Sequence, residues 1–300
     1  MKFMFNKKYL IILATGFLFS CSKNLDLKSL SFDASVNKTT LAVTDTAIFS
    51  FSGNPEYITF YSGEPGSKYE FKDRIRDEST NLELKFSTAT TTATNGSLSL
   101  LVSDNFNGTF DATGIGAATW TDITSRATLA TGTATVASGT ISLSDFAAAK
   151  KPVYIAFKYA ANAGAIQKKW TITALTLNHV LPDKTYTIGN MTATSPSLGW
   201  KSADILNPAV NWTSALVITG STSAVTAVAT EDWVIMGPVD LSRVLPDAGV
   251  AIKTITEGMN KFPFQYKYAA IGNYEAVFVA SNANRDASET IIKKVSVVVQ

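Results

Sequence analysis

The chain has 300 residues, 26 Lys+Arg against 24 Asp+Glu, one His and one Cys. So apolar and weakly charged a composition excludes a disordered tail, and the even charge balance excludes a surface built to bind a phosphate backbone. The length suits one large domain or two ordinary ones, with enough chain to bury a sizeable core.

Residues 1–20 carry Lys2, Lys7 and Lys8 and no acid, so removing them leaves 23 basic against 24 acidic residues. The basic start is followed by an apolar run from Tyr9 to Phe19, too short to span a bilayer and shaped like the core of a secretory signal. It ends in Leu18-Phe19-Ser20-Cys21, which resembles a bacterial lipobox. That resemblance implies that Cys21 is lipidated and becomes the first residue of the mature protein. The alternative is an ordinary signal peptide with an incidental Cys. Cys21 is the only Cys, so it has no internal disulfide partner. Acyl chains at ~0.8 kcal/mol per buried CH2 would hold the protein on a membrane. Ser22 to Asp26 reads as a tether. No later stretch approaches the ~18 apolar residues of a transmembrane helix.

From Leu30 onward, short runs rich in β-branched and aromatic residues alternate with Gly, Asn, Asp, Pro and Ser. Examples are Thr46–Phe51, Tyr57–Tyr61, Val153–Tyr159, Trp170–Leu177, Trp233–Met236 and Val295–Val299. Turn chemistry recurs about every ten residues, which predicts an all-β sandwich or jelly roll and not a parallel α/β sheet. Ser87–Thr140 is rich in Thr, Ala, Ser and Gly. It is read as strands with polar outer faces, with a low-complexity linker as the alternative. Leu143–Lys150 and Pro238–Val244 are the two helix candidates.

Residues 27–78 resemble the start of an immunoglobulin-like domain of the PKD type, through Thr40–Gly53 and Tyr57–Gly66. Nothing like its closing strands follows, and about four strands leave one face of a sandwich unfinished. Phe264–Asn282, with Tyr-x-Tyr and then Gly-x-Tyr, is similar to the PKD ending, and Ile291–Val299 supplies a last strand. Segments 27–78 and 245–300 together match the ~100 residues of one immunoglobulin-type sandwich. This predicts one split domain with a jelly-roll β-sandwich inserted over 79–244. The rival is two separate small sandwiches flanking a middle domain.

Within 79–244, Trp120–Thr124, Ser138–Ser144, Ile155–Tyr159 and Glu231–Ile235 resemble jelly-roll modules of surface anchors, adhesins and galactose-binding-like domains. The whole mature chain resembles an uncharacterised family of Bacteroidetes lipoproteins, most specifically in Tyr57–Gly66 and Asp232–Asp247. The resemblance implies outer-membrane association, often beside glycan-uptake machinery; the cell surface is the expected face, with the periplasmic face as the alternative. It implies no activity.

His179 is the sole imidazole, so a zinc centre or a His-based triad has little to draw on. It sits before Pro182-Asp183 and is expected in a solvent-exposed turn. Gly114-Ile115-Gly116 leads to strand-like residues and makes no phosphate loop. A glycoside hydrolase needs only a carboxylate pair, but Asp104, Asp111, Asp122, Asp145, Asp232 and Asp247 read as turn residues. No catalytic residue and no organic cofactor is therefore expected. Binding is the better class, because an aromatic face matches the apolar face of a sugar ring. Trp170 and Trp233 are expected in the core. Trp120, Trp200 and Trp212 lie in turn-rich or polar sequence, and Tyr61 and Tyr69 flank the Gly63–Gly66 turn, so these five are the candidate ligand-binding aromatics, with a packed anchor as the alternative at each. Asp104, Asn107 and Asp111 are candidate ligands of a structural calcium, on a spacing unlike the EF-hand loop. The expected partners are the outer membrane, a glycan and an uptake complex, with a protein-binding adhesin and a hydrolase as the rival readings.

Overall fold

The computed structural model describes residues 26–79, 81–191, 198–259 and 263–300. Cys21 and the tether lie outside the described residues. The protein is nearly all β, in four sheets.

In chain order the first strands are β1 (Phe32–Val36), β2 (Thr40–Leu41), β3 (Ala47–Gly53) and β4 (Tyr57–Tyr61). Next come β5 (Leu82–Thr90), β6 (Ser97–Ser103), β7 (Thr121–Asp122), β8 (Val136–Ala137) and β9 (Ile141–Ser142). Then follow β10 (Val153–Ala161), β11 (Lys169–Val180), β12 (Thr185–Met191), β13 (Trp200–Leu206), β14 (Val217–Thr219) and β15 (Thr230–Val239). The last four are β16 (Val250–Lys253), β17 (Phe264–Tyr266), β18 (Gly272–Ala283) and β19 (Ser288–Val299). Short helices α1 (Ala112–Ala117) and α2 (Ser144–Ala147) interrupt the strands.

The chain forms two compact units. One joins the residues up to Glu64 with Gly249–Gln300, and the other is Pro65–Ala248. The first unit holds a three-stranded sheet, β1-β3-β17, and a five-stranded sheet, β16-β4-β18-β19-β2. β4 runs antiparallel to β18 in the register Thr59↔Val279, so early and late chain share one ladder. Both sheets send phenylalanines inward: Phe278 lies 5.0 Å from Phe49, 4.9 Å from Phe51 and 5.1 Å from Phe60. Such ring pairs add to the burial of aromatic area that holds a small sandwich closed.

The second unit packs sheet β13-β15-β10-β6-β7 against sheet β12-β11-β5-β8, with β14 and β9 pairing β11 and β5. Period-two alternation sends Leu98, Leu100 and Val102 of β6, Phe157 and Tyr159 of β10, and Val234 and Met236 of β15 into one core. Phe86 of β5 meets Phe157 edge-on at 5.0 Å across the sheets.

The segments entering and leaving this second unit are bound to each other as a two-chain stem. Asp77 N–H donates to the Ser242 carbonyl, Val244 to Ile75 and Asp247 to Phe71, each near 3 Å. The buried Asp247 carboxylate closes the stem. It accepts from Lys68 N–H at 2.9 Å and from Lys184 Nζ, with the Arg74 guanidinium 3.7 Å away.

Several expectations need correction. Leu143–Lys150 contains only the single turn of α2, and Pro238–Val244 is the end of β15 followed by a loop. Gly114-Ile115-Gly116 lies inside the short α1, and β7 follows it. The carboxylate of Asp111 caps that helix through Gly114 N–H at 2.8 Å. Gly114 is required because a Cβ there would stand 2.1 Å from the Thr109 carbonyl oxygen. His179 is fully buried in β11, its Nε2 2.7 Å from the Ser79 carbonyl. The turn signal of Pro182-Asp183 begins only after that strand has ended. Asp232 and Asp247 are buried, Asp232 within β15, and neither is an exposed turn residue.

Candidate functional site

The five aromatic candidates do not converge. Trp212 is 5% exposed: the loop after β13 turns back over the inner face, and its indole N–H reaches the Asp232 carbonyl at 3.5 Å. Its ring is core, with Val210 and Leu216, and offers no face to a ligand. Turn residues Asn207, Pro208 and Asn211 made the segment read as surface, but the chain between them points inward. Trp200 is half-buried against the same core, opposite Met236. Tyr61 lies half-buried on β4, and Tyr69 in a one-turn 3-10 helix, with Lys72 Nζ 5.5 Å from its ring. Trp120 alone sits on the outer face of sheet β13-β15-β10-β6-β7.

That outer face is aromatic. Alternation on four strands turns Leu101, Ala156, Ala203, Trp233 and Ile235 outward, and the segment from Phe106 to Trp120 folds over them. Phe106 anchors the cover, 5.4 Å from Phe110, 5.4 Å from Trp120 and 5.0 Å from Tyr154. Trp120 stands 5.1 Å from Trp233, and its indole N–H donates to the Ile115 carbonyl at 3.1 Å. Phe110, Trp120 and Tyr154 stay partly exposed at the rim, while Phe106 and Trp233 are buried.

Charged groups ring this patch. Lys158 Nζ lies 3.0 Å from Glu231 and 5.3 Å from the Trp233 ring, and Glu231 accepts from the Trp233 indole at 2.9 Å. Lys201 Nζ lies 5.0 Å from the Phe110 ring. The arrangement can do two things at once. Ring faces receive apolar C–H surface, and fixed Lys and Glu groups exchange hydrogen bonds with hydroxyls.

A concave region lies at the loop end of the same unit. Two open clefts, about 760 Å³ and about 500 Å³, adjoin at Thr94. Their walls are tied together by Gln167, buried, which donates to the Asn162 and Val228 carbonyls and accepts from Ser221 N–H. Ile166, Leu206, Val225 and Val228 crowd this end with apolar side chains, Val225 94% exposed.

The candidate calcium ligands are used locally. Asp111 caps α1, Asn107 accepts from Thr109 N–H at 2.9 Å, and Asp104 is exposed. Among the described residues no three His, Cys, Asp or Glu side chains converge on a metal. The acidic pair that does form was not foreseen: Asp232 faces Asp204 across β15 and β13. Burial, and then the facing Asp204 carboxyl, push Asp232 up to about 9.

No helix among the described residues is long and apolar enough to cross a membrane. No curated protein and no solved structure matches the chain. One family model does match, over residues 20–198, starting one residue before Cys21. The chain therefore belongs to the DUF5017 family, a domain of unknown function.

Proposed function

We propose that the protein is a lipid-anchored surface protein of the outer membrane that binds glycan on the outer face of the β13-β15-β10-β6-β7 sheet. The observation that carries this is the partly exposed ring of Trp120, set between Trp233 and Phe106 and bordered by Lys158, Glu231 and Lys201. A pyranose has one apolar face and a rim of hydroxyls, and this surface offers the complement of both. No covalent chemistry is part of the reading. The hydrolase alternative is not favoured by the Asp204–Asp232 pair, because the Asp232 carboxyl is buried beneath the sheet edge, out of reach of a sugar.

The anchor rests on Leu18-Phe19-Ser20-Cys21 and on Cys21 being the only Cys. Metabolic labelling with a radioactive or clickable fatty acid tests it. Wild type should label and Cys21→Ala should not; continued labelling of the variant overturns the assignment.

Screening residues 22–300 on a glycan array tests the binding. A hit weakened at least several-fold by Lys201→Ala, a change at an exposed position, supports the outer face. Binding untouched by Lys201→Ala and Glu231→Gln places any sugar elsewhere.

A protein-binding role is the second reading. It is favoured by the exposed Ile166, Leu206, Val225 and Val228 around the loop-end clefts, since clustered apolar side chains mark contact surfaces. On that reading, Val225→Asp would abolish recovery of an outer-membrane partner and leave array binding unchanged.

A further inference from the structure

The carboxyl of Asp232 points into the second unit, is wholly buried, and finds no donor for either oxygen among the described residues; the only polar side chain set against it is the carboxyl of Asp204. Buried polar groups are nearly always paired, and a buried carboxylate more so, which makes this side chain an exception that calls for an occupant. The groups around it are already engaged. Tyr159, its neighbour on β10, donates its hydroxyl to the Lys168 carbonyl at 3.0 Å. Thr230, two residues earlier on β15, accepts from Asn207 Nδ2 at 2.9 Å and donates to the Val228 carbonyl. Trp212 closes the site from the loop and gives its N–H to the Asp232 carbonyl, not to the carboxyl. No lysine or arginine pairs with Asp232 or Asp204 among the described residues.

One direction remains open. Asp204, the residue directly opposite on β13, is exposed, and β13 is the edge strand of its sheet. The ladder bulges just past it, between Asp204 and Leu206, and a bulge takes main-chain groups out of pairing. Asn207 then adopts a left-handed conformation, φ 66°, and turns the chain back over β15.

We propose that Asp204 and Asp232 hold a hard divalent cation, calcium, at this sheet edge, with neutral oxygens of the bulge and of the 207–212 loop completing its shell. Two carboxylates balance its charge. Calcium accepts six to eight oxygens in irregular geometry and keeps waters on the open side, whereas magnesium demands a near-ideal octahedron that a strand edge and a loop do not offer. The rival occupant is a proton, since without a counter-charge Asp232 is raised to about 9 and stays protonated at neutral pH.

The test uses residues 22–300 stripped with EDTA, followed by thermal unfolding at pH 7.5 with calcium chloride or magnesium chloride up to about 10 mM, above the ~1 mM dissociation constant of the weakest natural calcium sites. Calcium should raise the unfolding temperature by several degrees and magnesium by less. Asp204→Asn, at an exposed position, and Asp232→Asn should both remove the calcium shift. No shift and no heat of binding in wild type overturns the proposal in favour of the shared proton. A shift that survives both substitutions also overturns it, because the ion then binds elsewhere.

Discussion

Glu64 and Ala269 are 205 residues apart, yet the Glu64 carboxylate accepts the Ala269 backbone N–H at 2.8 Å and also receives the Tyr266 hydroxyl. Beside them Tyr268 stacks on Tyr274 at 4.5 Å and donates its hydroxyl to the Ser62 carbonyl. The two ends of the first unit are thus locked by charge-assisted hydrogen bonds as well as by the β4–β18 ladder. Glu64→Ala should destabilise this unit by about 1.5–3 kcal/mol, the usual range for a hydrogen bond to a charged group. Denaturant unfolding followed by near-UV tyrosine dichroism reads it, and an unchanged midpoint would show the contact to be idle.

Phe278 is fully buried among Phe49, Phe51 and Phe60. Phe278→Ala should cost about 3–5 kcal/mol through lost burial and the cavity left behind. Cutting the chain after Ala248 goes further, because β4 loses its partner β18 and the Phe49–Phe60 core loses its cover. We expect the residues up to Glu64 to unfold in that truncated protein, measured by amide exchange. Protection persisting over 47–61 would mean that the early strands form a sandwich without the late ones.

Asp247 ties Lys68, Arg74 and Lys184 into the stem of the second unit. Its side chain is completely buried, so removing the charge takes the counter-ion from Lys184, strands the Lys68 N–H, and leaves the Arg74 guanidinium only Asp77 at 3.5 Å and Asp183 at 3.8 Å. Asp247→Ala should cost about 3–5 kcal/mol, as for breaking one half of a buried ion pair. Replacing the exposed Asp73 in the same way should cost nothing measurable.

Arg126 holds Asp145 through two hydrogen bonds of 2.9 Å and 2.7 Å, which keep the Asp145 carboxyl below the usual carboxylate range. A lowered carboxylate pKa favours the folded state above about pH 4 and loses that contribution as pH falls through the folded value. The pair is about half exposed, so the gain stays below about 1 kcal/mol. Arg126→Met should lower stability slightly at pH 7 and converge with wild type near pH 2 in acid unfolding. A gap that stays constant between those pH values would assign the loss to packing against Phe146 instead.

What the sequence made legible was the strand content. Val153–Tyr159 and Trp170–Leu177 combine β-branched and aromatic residues without a break, and they lie within β10 and β11, the spines of the second unit. Local periodicity is enough there, because the pattern of one strand is written in that strand alone. The candidate site was scarcely legible. Phe106, Tyr154 and Trp233 come from a loop and two strands far apart in sequence, and only sheet pairing brings them beside Trp120. Asp204 and Asp232 are likewise joined by strand register and not by spacing. Burial of His179, and of Trp212 as a packed anchor, is hidden for a related reason: turn residues nearby say where the chain bends, not which way a side chain points.

The central claim is that sugar is held on the outer sheet face at Trp120. The most direct measurement is calorimetric titration of residues 22–300 with the strongest array hit, repeated with Trp120→Ala and Tyr154→Ala after thermal unfolding has shown each variant to be folded. The account predicts at least tenfold weaker binding for Trp120→Ala, a measurable loss for Tyr154→Ala, and no change for Ile166→Ala at the loop end. Full affinity retained by a folded Trp120→Ala, or loss on Ile166→Ala instead, would contradict it and move the binding surface to the clefts around Thr94.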